Sequence, residues 1–372
     1  MKWKTDWDLA KRGLVRWWNG KGMALSMMSP RRQPIEPITL PAEPNNLLDF
    51  WTNPVYRCSK AEHKMATTRF FCEAFPYFDT YMGPGSLSTF IGARPEFSDV
   101  TVWYEPCIED PDTYGEVKLD IHGNRWWDAH MALINEGIRS SQGRYMVGIP
   151  DLVENLDTLA SLRGTERLLM DLIERPAWVH DKLAEINEVY FAAFDRMFEV
   201  VHDEEGGNAF TWLRLWGPGR TAKLQCDSAA MFSPIMFDEF VLPYLRAQCD
   251  WLDYSVFHLD GESALCHLDS LLSIESLNAI QWAPLGASGK VAGMPTIGSP
   301  FWYDLYRRIK DAGKGVVIAQ IELDEIVPLL DAVGPEGMFL MVEAPDEDTG
   351  EELLQVLEPY RRCGSSQSGV MI

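Results

Sequence analysis

Residues 315–343 read GVVIAQIELDEIVPLLDAVGPEGMFLMVE, and this stretch decides the fold class. It contains two short apolar runs, Gly315–Ile321 and Met338–Val342, separated by the helical pattern Glu322–Val333. Strands that are apolar on both faces are typical of parallel sheets covered by helices. The stretch therefore predicts two parallel strands joined by a right-handed crossover helix.

The same alternation of strand and helix patterns continues through the rest of the chain. The other predicted strands are Met23–Met28, Tyr145–Ile149, Phe210–Leu215, Tyr254–Leu259 and Asn278–Trp282, with an eighth hidden between Phe70 and Tyr104. The other predicted helices are Ser233–Leu252, Ser263–Ile274, Phe301–Ala312 and Asp346–Arg361. Repeated units of this kind predict an α/β fold in which residues 1–372 form a single (β/α)8 TIM barrel domain.

Three segments fall outside this alternation. Residues 1–19 mix charged residues with tryptophan and are interpreted as an N-terminal helical extension. Residues from about 76 to 141 are rich in Gly, Pro and aromatic residues and follow no clean period. We interpret them as an inserted aromatic-rich loop region over the barrel mouth. Residues 363–372 are mostly small or polar and predict a flexible tail.

Charge and cysteine content narrow the class of protein. The chain has 33 Lys and Arg against 55 Asp and Glu, a formal net charge of −22. A surface this acidic repels nucleic-acid phosphates and anionic lipids, so neither class of partner is expected. The seven cysteines include no CxxC pair, and no apolar run is long enough to span a membrane. We therefore expect a cytoplasmic protein.

The segment YSVFHLDG, Tyr254–Gly261, carries the clearest chemical signal. In a strand, His258 and Asp260 project from one face, and strand carboxyl ends form the active-site side of a barrel. Such a pair binds a metal ion or acts as a base with its orienting carboxylate. The structural alternative is that Asp260 caps the next helix and His258 satisfies a buried carbonyl. The residues alone leave both interpretations open.

Other strand ends supply further candidates. Trp212, Arg214 and Trp216 would share one strand face and form a flat cationic platform, unless Arg214 is a structural residue stacked between two indoles. Glu343 is an isolated carboxylate at the end of the last strand and must face a cavity, a cation or solvent. The remaining candidates, for orienting substrate, holding an anion or lining a lid, are Gln225, Asp227, Gln281, Trp282, Arg32, Tyr81 and Tyr104.

Several stretches together resemble the uroporphyrinogen decarboxylase superfamily. They are LQCDSAAMFSP at Leu224–Pro234, FDEFVLPYL at Phe237–Leu245, and FHLDG at Phe257–Gly261. The resemblance runs from about Val147 to the C-terminus, with a weaker match over Met23–Arg32. It implies a single (β/α)8 barrel, in agreement with the strand patterns.

This superfamily includes the tetrapyrrole decarboxylase and the methyltransferases that serve corrinoid proteins. The decarboxylase grips substrate carboxylates with an Arg-Gln-Ala-Gly-Arg-Tyr motif. Here the corresponding stretch, Ser29–Ile35, reads SPRRQPI and lacks the second Arg and the Tyr. The chain is therefore more similar to the corrinoid methyltransferase-like members than to the decarboxylase.

The methyltransferases hold zinc through His-x-Cys and a further Cys from a late strand. By this resemblance the equivalent positions are His258, Asp260 and Glu343, so the ligand set changes from one nitrogen and two sulfurs to one nitrogen and two oxygens. Oxygen ligands favour a harder divalent ion over zinc. The resemblance thus implies a divalent metal ion, zinc or harder, or a proton-handling cluster without metal.

The leading hypothesis is methyl transfer involving a small methylated substrate or a corrinoid carried on a partner protein. His258, Asp260 and Asp227 would be the catalytic residues. A first alternative is decarboxylation of a carboxylated ring, with Asp227 stabilising a protonated pyrrole. A second is a non-catalytic barrel that docks a corrinoid protein. A homodimer is left open by the sequence.

Overall fold

The computed structural model describes residues 1–284 and 294–362, and the predicted tail at 363–372 lies outside them. The strands are β1 Ala24–Pro30, β2 Thr68–Cys72, β3 Tyr77–Phe78, β4 Arg94–Phe97, β5 Val102–Glu105, β6 Met146–Val147, β7 Asn208–Phe210, β8 Leu215–Gly217, β9 Thr221–Gln225, β10 Tyr254–Asp260, β11 Ala279–Ala283, β12 Gly315–Ile318 and β13 Met338–Glu343.

The α-helices of the described residues are α1 Trp7–Trp18, α2 Leu47–Thr52, α3 Pro54–Ala66, α4 Ser86–Phe90, α5 Arg125–Ser141, α6 Asn155–Arg163, α7 Thr165–Glu174, α8 Pro176–Val201, α9 Pro234–Phe240, α10 Leu242–Trp251, α11 Leu268–Leu272, α12 Tyr303–Asp311, α13 Leu323–Val333 and α14 Glu347–Arg362. Short 3₁₀ helices cover Asp227–Met231, Glu262–His267 and Pro300–Trp302. Among these helices, none has both the length and the apolar composition to cross a bilayer.

A mostly parallel sheet lies at the centre of the molecule. Its strand order is β2-β1-β13-β12-β11-β10-β9, and each pairing is parallel except that of β1 with β2. The α/β class and the predicted strand–helix–strand unit at 315–343 are confirmed, since β12, α13 and β13 follow one another there. Gly334 ends α13 with a φ of 84°, a conformation that favours glycine.

Short strands continue the arrangement beyond β9. The amide of Asn208 in β7 bonds the backbone N–H and carbonyl of Thr221 in β9, at 2.8 and 3.0 Å. Gly148 pairs with Ala209 in a parallel bridge, and β6 pairs with β3. In the part of the chain that the structure describes, no strand pairing joins β3 to β1. Closure into a complete barrel therefore stays an expectation.

The buried residues form two clusters, one on each side of the central sheet. The smaller cluster combines inward-facing strand residues such as Val256, Val317 and Phe339 with α1, the predicted N-terminal helix. Trp17 and Trp18 of α1 donate their indole N–H groups to the carbonyl oxygens of Gly337 and Trp216, each at 2.9 Å. Because Gly337 immediately precedes β13, α1 covers the amino ends of the strands. The opposite, carboxyl ends remain available for a site.

The predicted strand Phe210–Leu215 is wrong. Residues 208–217 form a tight hairpin in which β7 and β8 pair antiparallel around a turn at 211–214. Arg214 closes this turn with a φ of 52°, and its N–H bonds the carbonyl of Thr211 at 3.0 Å. Trp212, Arg214 and Trp216 therefore do not share a strand face, and the platform expected from their spacing does not form.

Two further boundaries differ from expectation. The sequence pattern predicts no strand at β9, because Lys223 and Gln225 interrupt its apolar run. The predicted helix Ser233–Leu252 divides at Val241 into α9 and α10, since Pro243 in the first turn of α10 has no N–H with which to continue α9.

The region at about 76–141 is not simply a loop. It contains β3, α4, the antiparallel pair β4–β5 and the long helix α5. Asn124 begins α5 by accepting hydrogen bonds from the N–H groups of Trp126 and Trp127. Of its two tryptophans, Trp127 is buried, whereas Trp126 is half-buried and packs against Phe97. The interpretation of 76–141 as an insertion over the barrel mouth stays a prediction.

Candidate active site

A cavity of about 450 Å³ lies at the carboxyl ends of β10, β11 and β13. These three strands end in Asp260, Ala283 and Glu343, which all line it. Its other described lining residues include Tyr77, Trp212, Arg214, His258, Gln281, Gln320 and Met341. The strand ends thus bring together the polar side chains that the sequence singled out, because parallel strands finish at one edge of the sheet.

Three possible metal ligands converge at this edge. One donor atom from each of Asp227, His258 and Asp260 lies within 4.8 Å of the others. Glu343, the expected third ligand, belongs to the same cavity, but its carboxylate pairs with Arg214. The structure therefore places Asp227, from the 3₁₀ helix after β9, where the resemblance had placed Glu343.

The His258 ring is held in one orientation by Gln281. These residues face each other across the β10–β11 pairing, and His258 Nδ1 contacts Gln281 Oε1. The Gln281 amide donates to the carbonyl oxygen of Trp282 at 3.1 Å, which leaves its Oε1 to accept from the imidazole. His258 then carries its proton on Nδ1 and keeps the lone pair on Nε2 free. Metal-binding histidines are commonly oriented in this way.

Burial, and then the nearby Lys223 ammonium, lower the pKa of His258 to about 4. The imidazole is therefore neutral at neutral pH, as a metal ligand must be. Trp212 packs edge-on against it, with ring centroids 5.2 Å apart. The turn at 211–214 thus supplies one wall beside His258, although Trp212 is itself 43% exposed.

Asp227 is held by a network on the other side of the site. Gln225 Nε2 donates to Asp227 Oδ2 at 3.1 Å. The carboxylate of Asp157 accepts from the backbone N–H groups of Asp227 and Ser228, at 2.7 and 3.0 Å. Partial dehydration and then the negative charge of Asp157 raise the pKa of Asp227 to about 7. This carboxyl group can therefore exchange a proton near neutral pH.

A buried cation, Lys223, contacts both the Gln225 amide beside Asp227 and the Trp212 ring beside His258. Its residue is only 3% exposed, and its ammonium bonds Asp151 Oδ2 at 2.8 Å and also Gln225 Oε1. The ammonium fixes the Gln225 amide so that its NH2 group faces Asp227. It also lies 5.4 Å from the Trp212 ring centroid. Sequence reasoning missed Lys223, and recognising β9 as a strand that points it inward would have found it.

A second cavity, of about 630 Å³, lies beyond Asp227. Asp157, Gln225 and Asp227 form its floor, and the expected lid residue Tyr104 is part of its wall. The Tyr104 hydroxyl is buried without a hydrogen-bond partner, and burial raises its pKa. Asp227 and Gln225 therefore border this second cavity, and the Asp227 carboxylate also lies within 4.8 Å of the donor atoms of His258 and Asp260, which line the first.

The remaining predicted site residues lie elsewhere. Trp216 and Trp282 are almost completely buried, the first bonded to Asp203 Oδ2 at 3.0 Å and the second packed on Trp302. Arg32 lies in an exposed loop and pairs with Asp348. Tyr81 packs against Trp51, with ring centroids 6.3 Å apart. None of these four residues is among the described residues that line the two cavities.

Comparisons with known proteins bear on the fold. No protein-family model and no curated protein sequence matches this chain. Among solved structures, the chain is similar to a methyltransferase from Methanosarcina mazei, with a TM-score of 0.61 and 12% sequence identity. The match covers 95% of this chain and 98% of that one. At this identity the similarity shows the fold, so this chain is an α/β protein that shares its architecture with that methyltransferase.

Proposed function

We propose that this protein is a methyltransferase of the uroporphyrinogen decarboxylase superfamily, with a (β/α)8 barrel and a divalent metal site at its mouth. The observation that carries the proposal is the convergence of Asp227, His258 and Asp260 at the strand ends, beside a cavity. The methyl group would pass to or from a small methylated substrate or a corrinoid held by a partner protein. The shared architecture with a methyltransferase supports this choice over other reactions of barrel enzymes.

The three side chains fit a divalent ion chemically. His258 offers Nε2 because Gln281 holds the other ring nitrogen, and Asp227 and Asp260 offer carboxylate oxygens. One imidazole and two carboxylates suit zinc or a harder divalent ion. When bound, the ion would supply Lewis-acid polarisation of a substrate atom. The alternative use of the same residues is proton transfer by Asp227 without metal.

The surrounding residues would position the substrate. Trp212 lines the cavity beside His258, and the ion pair of Arg214 with Glu343 lines the same cavity. Lys223 and Gln225 hold the Asp227 carboxylate in place from the protein side. A substrate in this cavity would therefore meet the Trp212 ring and the Arg214–Glu343 pair as well as the candidate ligands.

Decarboxylation receives less support. That reaction requires cationic side chains that grip substrate carboxylates, and Arg32 was the sequence candidate for this role. The Arg32 guanidinium pairs with Asp348, and Arg32 is not among the described residues that line the 450 Å³ cavity. A carboxylated ring would have to rely on Arg214, which already pairs with Glu343.

The test combines metal analysis with methyl transfer. Wild-type protein should purify with, or bind, near-stoichiometric divalent metal, and His258→Ala and Asp260→Asn should abolish this binding. Glu343→Gln is the matched control, since it neutralises a carboxylate of the same cavity outside the donor cluster. Methyl transfer between methylcobalamin and a thiol, followed by the corrinoid absorbance, should depend on the same residues.

Other outcomes would favour the alternatives. If Glu343→Gln lost metal binding and Asp227→Asn did not, the ligands would be His258, Asp260 and Glu343, the set that the resemblance implies. Turnover of a porphyrinogen would establish the decarboxylase, and methylcobalamin binding without turnover would indicate a binding protein. A wild-type protein without metal affinity, with unchanged ligand binding in His258→Ala, would contradict the proposal.

A further inference from the structure

A separate cavity of about 350 Å³ lies between α3 and the strands β1, β2 and β3. Arg57, Lys60 and Lys64 line it from α3. Their spacing of three and four residues places them on one face of the helix. We call this cavity the α3 pocket, and its other principal lining residues are Met28, His63, Met65, Phe70, Tyr77, Phe78 and Asp79.

The charge of the α3 pocket is opposite to that of the protein. The chain carries a formal charge of −22, yet Asp79 is the only acidic residue among the described lining residues. The Arg57 guanidinium is fixed by the carbonyl oxygens of Trp51 and Tyr81, at 2.8 and 2.7 Å. The Asp79 carboxyl group lies near the Arg57 charge, so the excess positive charge of the pocket comes from Lys60 and Lys64. An anion entering the pocket would meet a local positive potential in an otherwise repulsive protein.

Two of the three cations, Lys60 and Lys64, are accessible to solvent. Lys60 Nζ lies 3.1 Å from the Tyr56 hydroxyl and 3.9 Å from Glu43, and its side chain is 44% exposed. Lys64 is exposed at the next turn of α3. Both ammonium groups can therefore reach an anionic group at the entrance without first breaking a short ion pair.

The deeper wall is apolar. Met65, Phe78 and Met28 are at most 5% exposed, whereas Leu40 is 57% exposed and Phe70 is half-buried, and both of these line the pocket. An anion alone would leave this surface uncovered, whereas a ligand with an apolar body would bury it. Tyr77 lines both the α3 pocket and the 450 Å³ cavity beside His258. A ligand bound in the α3 pocket would therefore lie one side chain away from the candidate active site.

We propose that the α3 pocket binds an organic anion with an apolar body, its acidic group facing Lys60 and Lys64 and its body against Leu40 and Phe70. This inference goes beyond methyl transfer and does not require a metal at His258. The volume suits a ligand of the size of a small aromatic sulfonate or carboxylate.

The probe is 1-anilinonaphthalene-8-sulfonate, followed by its fluorescence, with uncharged N-phenyl-1-naphthylamine as its neutral partner. The sulfonate should bind at one site, more tightly than the amine and less tightly as salt rises. The double variant Lys60→Gln/Lys64→Gln should weaken sulfonate binding about tenfold and leave amine binding nearly unchanged. Lys118→Gln, which removes an exposed lysine far along the chain, is the matched control and should change neither.

A second variant locates the site. Ala61→Phe fills the pocket from α3 and should abolish binding of both probes while circular dichroism confirms the fold. Unchanged sulfonate affinity in either the double lysine variant or Ala61→Phe would overturn the proposal. His258→Ala should keep sulfonate binding while losing metal, so failure of the α3 pocket and failure of the proposed metal site can be told apart.

Discussion

Gln281 accepts a hydrogen bond from His258, and the same Gln281 amide is tied to the carbonyl oxygen of Trp282, its neighbour on β11. The orientation of the imidazole is therefore set by the backbone of an adjacent strand. A histidine restrained in this way loses little conformational freedom when a ligand binds its free nitrogen.

We expect Gln281→Met to lower divalent-metal affinity by about 10- to 100-fold, because the ring loses the partner that selects its tautomer. Gln281→Glu keeps an acceptor oxygen at the same place and should retain most of the affinity. Titration with Co²⁺, followed by its visible absorption, measures both variants. Equal losses in the two variants would show that Gln281 acts only through packing.

Lys223→Met should destabilise the protein by about 3–5 kcal/mol, because it leaves the buried Asp151 carboxylate without its cation. The double variant Lys223→Met/Asp151→Asn removes the unpaired charge and should recover part of that loss. Denaturant unfolding measures both free energies. If the double variant were no more stable than the single one, the pair would not be the source of the cost.

The same Lys223→Met substitution should also weaken metal binding. The ammonium fixes the Gln225 amide that holds Asp227, and it opposes protonation of that carboxyl group. Metal affinity of the double variant Lys223→Met/Asp151→Asn, measured by the Co²⁺ titration, should fall further than that of Glu343→Gln. Unchanged affinity would separate Lys223 from the site.

Glu154 makes the stability depend on pH. It is completely buried, its Oε1 accepts from the Gln225 N–H at 2.8 Å, and burial raises its pKa to about 8. In the unfolded chain this pKa is near 4.5. The folded state thus binds the extra proton, and its stabilising contribution is complete below 4.5 and lost as the pH rises through 8.

Glu154→Gln removes that dependence while keeping an oxygen for Gln225. The variant should match the wild type near pH 4.5 and become more stable relative to it by on the order of 1 kcal/mol per pH unit up to about pH 8. Urea unfolding at a series of pH values measures the difference. A difference that does not change with pH would contradict the assignment.

Gly148→Ala should disturb the turn that carries Trp212. A Cβ at Gly148 would lie 2.4 Å from Thr211 Cγ2, immediately before Trp212. We expect a loss of about 1–3 kcal/mol and weaker metal binding, because Trp212 packs on His258. Gly115→Ala, where nothing lies within 4 Å, is the control. Thermal unfolding and the Co²⁺ titration check both effects.

The sequence predicts an element well when its polar residues bond to neighbours in the chain, and poorly when their partners are distant in sequence. The predicted strands Tyr254–Leu259 and Met338–Val342 agree almost to their ends with β10 and β13, since each is a short apolar run of the length of a buried parallel strand. Within β9, Lys223 and Gln225 read as surface residues, although both are buried. Their partners Asp151 and Glu154 lie about 70 residues earlier, and no local pattern reveals that pairing.

The site shows the same limit. The alternation of side chains along a strand predicts that His258 and Asp260 lie on the same face of β10, and no contact with another element is needed for this prediction. The choice between Asp227 and Glu343 depends on the path of the chain after β9 and on Arg214 taking Glu343 as its partner. The left-handed conformation of Arg214 is equally nonlocal, because the hairpin imposes it on a residue other than glycine.

The tryptophans of α1 are anchored at the end of the sheet opposite the cavities. Changes to the cavity walls would therefore leave the Trp17 and Trp18 contacts intact. Laboratory evolution could therefore diversify the cavity-lining positions before the yield of folded protein declines, which makes the chain a practical scaffold for new chemistry at the strand ends. Substitutions in the first eighteen residues should instead reduce the yield of folded protein whatever reaction the rim performs.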